Sequence, residues 1–140
     1  ISDFDESLKS VTTSLLYTDI SPKEKYFITL NQWFDESLLK ETSSQPLYFP
    51  SANKDNYDEF SNEYFEKYNQ YPNQLSFLSY DLVGLIYYLT LQNNSVVNEK
   101  MFKKKNLFKG KVGIFEIKNN KINHILNFYK VEDGEFKKVF

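Results

Sequence analysis

The sequence predicts an α/β fold: a three-layer sandwich with a mainly parallel sheet and antiparallel strands at its C-terminal end. Two β-prone runs, 26–30 and 47–49, are separated by a helical pattern, and strands separated by helices usually pair in parallel. Further along, Asn119-Asn120 and Asp133-Gly134 tolerate φ > 0 and favour tight turns between antiparallel strands. A chain of 140 residues can bury roughly two-thirds of its unfolded surface, so we expect a single domain, residues 1–140.

The helices are predicted from the spacing of apolar residues and from acidic residues at helix starts. Asp5 is a plausible N-cap of the first helix, and Asp55 lies in the first turn of the third. The segment from Leu75 to Leu89 has the strongest helical period, and polar residues such as Asp81 favour a buried helix over a membrane span. The predicted helices are 5–18, 34–40, about 54–70, 75–89 and 96–108.

Five strands are predicted. The run 26–30 carries no charge and is expected to be buried, and the run 47–49 is ended by Pro50. The last three strands follow the helices: one ends before Asn119, a long one ends before Asp133, and a short one follows it. The predicted element order is therefore α, β, α, β, α, α, α, β, β, β, with the antiparallel strands last.

Composition excludes several kinds of site. There is no cysteine, so no disulfide or thiolate chemistry is available. All 17 basic residues are lysines, so no guanidinium can bind a carboxylate or phosphate with two parallel hydrogen bonds. The net charge of -2 is spread along the chain, which argues against an electrostatic nucleic-acid or membrane surface.

None of the catalytic motifs that the sequence could carry is complete. His124 is the only histidine, so a histidine metal site or a Ser-His pair would depend on it alone. The segment 110–113, Gly-Lys-Val-Gly, lacks the ending of a phosphate-binding loop and precedes a strand instead of a helix. The run 103–105 is interpreted as a solvated helix face. We therefore expect no catalytic residue, no metal and no cofactor.

Trp33 is the residue with the best prospect of touching a ligand. It is the only tryptophan, and it follows the predicted strand 26–30 where the chain turns into a helix. Ligands of α/β sheets gather at the carboxyl ends of strands. Packing over the loop is the alternative role for this side chain.

Several short motifs follow one another in a definite order between residues 26 and 140. They are Phe27 to Asp35, Leu47-Tyr48-Phe49-Pro50, Phe60 to Tyr71-Pro72, Tyr80-Asp81, and Phe108-x-Gly110-x-x-Gly113-x-Phe115 with the strands after it. In this order they resemble the C-terminal part of type I periplasmic binding proteins, the leucine-binding class. The element Trp33-x-Asp35-x-x-Leu38 is similar to one in the penicillin-binding protein activator branch of that class.

The resemblance implies one lobe of a periplasmic-binding-protein-like fold, the C-terminal fragment of a larger two-lobed protein that closes on a small ligand such as an amino acid. The family's ligand contacts after the first strand map onto Asn31, Gln32 and Trp33. Asn31 and Gln32 would hydrogen-bond a polar group, and Trp33 would form an apolar wall. Three family positions differ: Leu82 replaces an alanine, and two glycines are absent, so the backbone would approach a ligand less closely.

The resemblance also implies a bacterial periplasmic protein, free or lipid-anchored through an N-terminal segment missing from this sequence. The first residues, 1–5, contain neither the basic region nor the apolar run of a signal peptide. Two functions stay open. One is the solute-binding component of amino-acid ABC transport; the other is a regulator that contacts a peptidoglycan synthase. An enzyme is the third and least favoured class, and neither nucleic acid nor a membrane span is expected.

Overall fold

The computed structural model describes residues 1–3, 5–30, 34–103, 105–119 and 121–140. Within these ranges three α-helices are present: α1 (Asp5–Leu16), α2 (Lys54–Tyr68) and α3 (Gln74–Gln92). The same ranges contain seven strands, β1 (Phe27–Ile28), β2 (Leu47–Ser51), β3 (Asn106–Lys109), β4 (Ile114–Lys118), β5 (Lys121–Ile125), β6 (Asn127–Glu132) and β7 (Glu135–Lys138).

The three longest predicted helices are confirmed, with ends that shift by a few residues. Asparagine side chains begin two of them: Asn53 accepts a hydrogen bond from the backbone N–H of Asn56, and Asn73 accepts one from Ser76. Helix α2 is capped after Tyr68 by Asn69, whose φ of 53° is left-handed. Local capping chemistry therefore fixes where α2 and α3 begin and where α2 ends.

Two of the predicted α-helices are wrong, because their segments form only short 3-10 turns. The segment 34–40 forms only a short 3-10 turn, Glu36–Lys40, and the segment 96–108 forms only Glu99–Phe102. The second prediction fails because Asn106–Lys109 pairs with β4 and is extended. Apolar spacing over a dozen residues cannot distinguish a helix from a short turn that leads into a strand.

The strands form one mixed sheet and one antiparallel sheet, so the fold is mixed α/β. The mixed sheet has the order β1-β2-β6-β7, and the other has the order β3-β4-β5. The predicted mainly parallel sheet is corrected here: in the described part of the chain only β1 and β2 pair in parallel, while β2–β6 and β6–β7 are antiparallel. The short β1 offers only two residues for parallel pairing with β2. The other two strands of this sheet, β6 and β7, form an antiparallel hairpin.

The chain divides into two compact units. Unit 1 consists of Ile1–Ser51 and Asn127–Phe140, and unit 2 consists of Ala52–Leu126. The prediction of one domain over residues 1–140 stays a prediction, because two compact units can belong to one domain. Among the described helices, none is long and apolar enough to cross a membrane.

Unit 1 contains the mixed sheet and α1, with an aromatic core. The ring of Phe34 meets Tyr129 at 5.0 Å and Phe136 at 5.3 Å in edge-on contacts, and Phe49 packs beside them. Edge-on ring pairs are favourable because the positive ring edge faces the negative ring face. The Gln45 side chain accepts a hydrogen bond from the Gly134 backbone N–H at 3.2 Å. This bond fastens the β6–β7 turn to the segment before β2.

Unit 2 packs α3 against the antiparallel sheet. Its core contains Leu85, Leu89, Met101, Phe115 and Ile117, all buried. On α3 the buried positions are Phe77, Asp81, Leu85 and Leu89, which recur every four residues. A helix face that is otherwise apolar therefore carries one buried acid.

Candidate functional site

The best-defined polar site in unit 2 is a carboxylate that binds three consecutive backbone N–H groups. Asp81, on α3, is only 3 % exposed. Its Oδ1 accepts a hydrogen bond from the Lys111 N–H at 2.8 Å. Its Oδ2 accepts bonds from Val112 at 3.0 Å and from Gly113 at 2.8 Å. We call this arrangement the Asp81 clamp. It fixes the turn between β3 and β4 to the helix.

The clamp explains how a buried acid is tolerated. An unpaired buried polar group is costly, and here both carboxylate oxygens accept hydrogen bonds from the backbone. Successive N–H groups that converge on one point form an anion-binding concavity. The turn between β3 and β4 therefore binds an anion, and that anion is the protein's own Asp81.

Two glycines allow the turn to approach the helix this closely. A Cβ atom at Gly110 would overlap the Asp81 carboxylate, and a Cβ atom at Gly113 would overlap the imidazole of His124. The Gly110 N–H also donates to the Gly113 carbonyl at 2.7 Å, which closes the turn. At both positions the backbone passes so close to a neighbouring side chain that no Cβ atom fits, and glycine has none.

His124, on β5, lies against the other side of the turn. Its ring stacks on Phe115 with centroids 4.5 Å apart and planes 12° apart. Its Nε2 atom is buried and has no hydrogen-bond partner among the described residues. Burial is the largest influence and lowers the pKa of His124 below its usual 6.5, while the negative charge of Asp81 acts in the opposite direction. The neutral ring is therefore favoured in the folded protein.

The lowered pKa predicts an acid-dependent loss of stability. The unfolded chain takes up a proton at His124 as the pH falls below about 6.5, and the folded chain takes it up only at lower pH. The contribution of this group to stability is complete above the unfolded pKa and is lost as the pH falls through the folded pKa. We expect the urea midpoint to fall more between pH 8 and pH 5.5 in the wild type than in His124→Leu. Equal falls in both proteins would contradict this role.

Lys111 connects the same turn to α2. Its ammonium group donates to Glu63 at 2.6 Å and to Glu59 at 3.3 Å. The hydrogen bond from the Lys111 ammonium group to Glu63 is the main cause of a raised pKa at Lys111, with Glu59 adding to it. These carboxylates are more than half exposed, so the ion pairs position the turn more than they stabilise it.

Helices α2 and α3 also border an aromatic groove of about 710 Å³, which we call the α2–α3 groove. Its size suits a small molecule, and aromatic walls with a few polar groups are usual for ligand sites. Five of its eleven lining residues are aromatic, namely Phe60, Tyr64, Tyr68, Tyr80 and Tyr87, and Lys67 and Glu63 add one charge of each sign.

The predicted ligand contacts Asn31, Gln32 and Trp33 lie outside the described residues. On one side of them, the Thr29 N–H donates to the Tyr48 carbonyl at 2.8 Å. On the other side, Phe34 is 4 % exposed. Both neighbours belong to unit 1. In the described part of the chain no group of three or more His, Asp or Glu side chains is placed to bind a metal ion.

Asp81 and the two glycines are recognisable in the sequence, but the contact between them is not predicted from it. The available signal was a charged residue at a buried helical spacing, since Phe77, Asp81 and Leu85 lie on one face. Buried acids are almost always paired, and here the partners are the backbone N–H groups of Lys111, Val112 and Gly113 in the turn between β3 and β4. The α2–α3 groove had no comparable signal, because tyrosines at helical spacing occur equally in a core.

Comparison of the chain with known proteins gives no match: no family model, no curated protein and no solved structure is significantly similar to it.

Proposed function

We propose that this chain is a non-catalytic ligand-binding module of a bacterial envelope protein, similar to the solute-binding component of amino-acid ABC transport. The Asp81 clamp is the observation that carries this function. It joins Tyr80-Asp81 to the Gly110-x-x-Gly113 segment, two of the motifs on which the resemblance to periplasmic binding proteins rests. One contact thus accounts for the identity of an acid and two glycines that are far apart in the sequence.

In this function residues 1–140, with both compact units, would belong to one lobe of a larger two-lobed protein. That protein would act in the periplasm, free or lipid-anchored.

A ligand screen tests the transport function. Single amino acids would be added to the complete two-lobed protein that contains this fragment, because the fragment without the first lobe should not bind a ligand tightly; Tm and tryptophan emission would be followed. We expect one chemical class of amino acid to raise Tm by several degrees, because ligand at about 100 times its Kd stabilises a protein by about 2.7 kcal/mol. The emission should change with it, because Trp33 belongs to the predicted contact set.

Paired variants separate binding from general stability. Replacing Asn31 and Gln32 together by alanine should abolish both signals. Replacing Asn62 and Gln70, an exposed pair of the same chemistry, should leave them unchanged. A flat response to all amino acids, or equal losses in both double variants, would count against this site.

One observation favours the second function, a penicillin-binding-protein-activator-like regulator that contacts a peptidoglycan synthase. Several large apolar side chains of α3 are exposed, and exposed apolar patches often mark protein contacts. Val83 is 67 % exposed and Tyr87 66 % exposed. In this case a purified synthase should bind the chain directly, and Val83→Ser with Tyr87→Ser should weaken the complex while the amino-acid screen stays flat.

A further inference from the structure

The positive charge of this chain is concentrated in one segment. Residues 100–121 contain eight lysines and a single acidic residue, Glu116, which leaves nine lysines and eighteen acidic residues in the rest of the chain. This segment spans β3, β4 and the beginning of β5. The small net charge therefore conceals a strongly basic region in unit 2, and the expectation that charge is spread evenly along the chain is corrected here.

The strand register shows which side chains share the outward face of this sheet. Leu107 is opposite Glu116, Lys109 is opposite Ile114, and Ile114 is opposite Ile125. Side chains of directly paired residues lie on the same face, as do residues two apart along one strand. The inward face carries Phe115 and Ile117, which are buried in the core of unit 2.

The outward face thus combines exposed apolar groups with lysines. Leu107 is 61 % exposed, Ile114 36 % and Ile125 51 %. Lys109 and Lys118 are exposed on the same face. Lys121 is paired with Lys118 across the β4–β5 turn and is exposed as well. Lys105 belongs with them, because its ammonium group lies 3.6 Å from Glu116. Four lysines and one glutamate surround three branched apolar side chains.

We propose that this face, which we call the β3–β5 face, binds the surface of an anionic lipid bilayer. Each lysine near the surface of an anionic membrane makes a similar favourable contribution to the free energy of binding. Their alkyl stems extend along apolar neighbours while the charge reaches the headgroups, and branched apolar side chains enter the boundary between headgroups and acyl chains. The charge of the face is opposite to that of the lipid.

Two other anionic occupants fit less well. Binding of single-stranded nucleic acid relies on aromatic stacking platforms, and among the described outward residues of this sheet none is aromatic. An acidic peptide usually lies in a groove or adds a strand to an edge. One cavity in this region is lined by Glu99, Phe102, Ile117 and Ile122, and Ile117 and Ile122 belong to the opposite face of the sheet. A peptide strand added to β3 or β5 would extend the sheet at its edge and would not cover the outward face.

Vesicle partitioning tests this binding. The 140-residue chain would be sedimented with vesicles of equal parts phosphatidylglycerol and phosphatidylcholine, and with vesicles of phosphatidylcholine alone. We expect binding to the anionic vesicles only, weakening as salt is raised from about 0.02 M to about 0.5 M, because salt screens exposed charges. Replacing Lys109, Lys118 and Lys121 together by glutamine should lower the partition coefficient on the order of 100-fold, about fivefold for each lysine.

A matched triple variant controls for net charge. Lys23, Lys25 and Lys40 are exposed residues of unit 1, and replacing them by glutamine changes the net charge equally. We expect this variant to keep most of its binding. Ile125→Ser should weaken binding without any change of charge, and urea midpoints should verify that each variant is folded.

Three results would overturn the assignment. The first is no sedimentation with anionic vesicles at low salt. The second is an equal loss of binding in both lysine triples. The third is binding of a soluble poly-glutamate peptide that depends on the β3–β5 face and exceeds binding to vesicles, which would assign the face to an acidic polypeptide. None of these outcomes depends on whether the chain binds amino acids.

Discussion

Replacing Asp81 by asparagine is expected to lower the free energy of unfolding by about 3 kcal/mol, because hydrogen bonds to a charged group each contribute roughly 1.5–3 kcal/mol. The substitution preserves the size of the side chain. It replaces one carboxylate oxygen by an NH₂ group, which cannot accept a bond from the Lys111, Val112 or Gly113 N–H groups that face it. At least one buried donor is then left without an acceptor. Urea unfolding followed by circular dichroism measures the loss.

Asp58→Asn is the matched control for this change. Asp58 forms an ion pair with Lys54 on the surface of α2, and its side chain is 48 % exposed. Exposed pairs of this spacing are worth about 0.3–0.5 kcal/mol, so the control should stay close to the wild type. Hydrogen exchange at the 111–113 amides adds a local measurement, and it should be faster in Asp81→Asn alone. If both variants lost the same free energy, the Asp81 clamp would have no special role.

Replacing Gly113 by alanine is expected to cost about 2–3 kcal/mol, the upper part of the range for overpacked sites. The new methyl group would overlap the ring of His124, which is itself stacked on Phe115 and has little room to move. Gly110→Ala should be at least as harmful, because its methyl group would overlap the Asp81 carboxylate. Thermal and urea unfolding of each variant measure these losses.

Gly84→Ala separates close approach from a general effect of adding a methyl group. Gly84 lies inside α3, where alanine is favoured by about 0.5–1 kcal/mol, and its Cβ would lie 3.3 Å from Phe108. We expect these two terms nearly to cancel. A double-mutant cycle of Gly113→Ala with His124→Ala should recover about 1 kcal/mol or more, as residues in contact do. Additive effects would exclude the His124 contact as the cause.

The local features of this fold could be predicted from the sequence, but which strands pair with each other could not. Turn residues behaved as their chemistry dictates: Asn119, Asp133 and Gly134 all have positive φ. The long strand predicted before Asp133 is two strands, β5 and β6, which separate at Leu126 and join different sheets. Which sheet a strand joins depends on residues far away in the sequence, and no local pattern contains that information.

The candidate site illustrates the same limit. The predicted apolar period from Leu75 to Leu89 includes two residues that are buried, Leu85 and Leu89, and two that are exposed, Leu75 at 72 % and Leu82 at 47 %. The buried face shares only part of that stripe and includes Asp81. The periodicity predicts the helix but not which of its faces is buried, because more than one face of an apolar-rich helix fits the pattern. The close approach of the glycines to Asp81 and His124 became visible only when the elements were assembled.

The division of the chain also sets an order of assembly during synthesis. Unit 2 is one continuous segment, so all its contacts are available once residue 126 has left the ribosome. Unit 1 is interrupted, and β2 finds its antiparallel neighbour only after β6 has been made, some 75 residues later along the chain. Until then one edge of β2 is unpaired, with Phe49 and Leu47 lacking their cover from Tyr129 and Val131. The nascent chain therefore presents an unpaired strand edge, which can associate with other chains, at a strand that is well buried once folded.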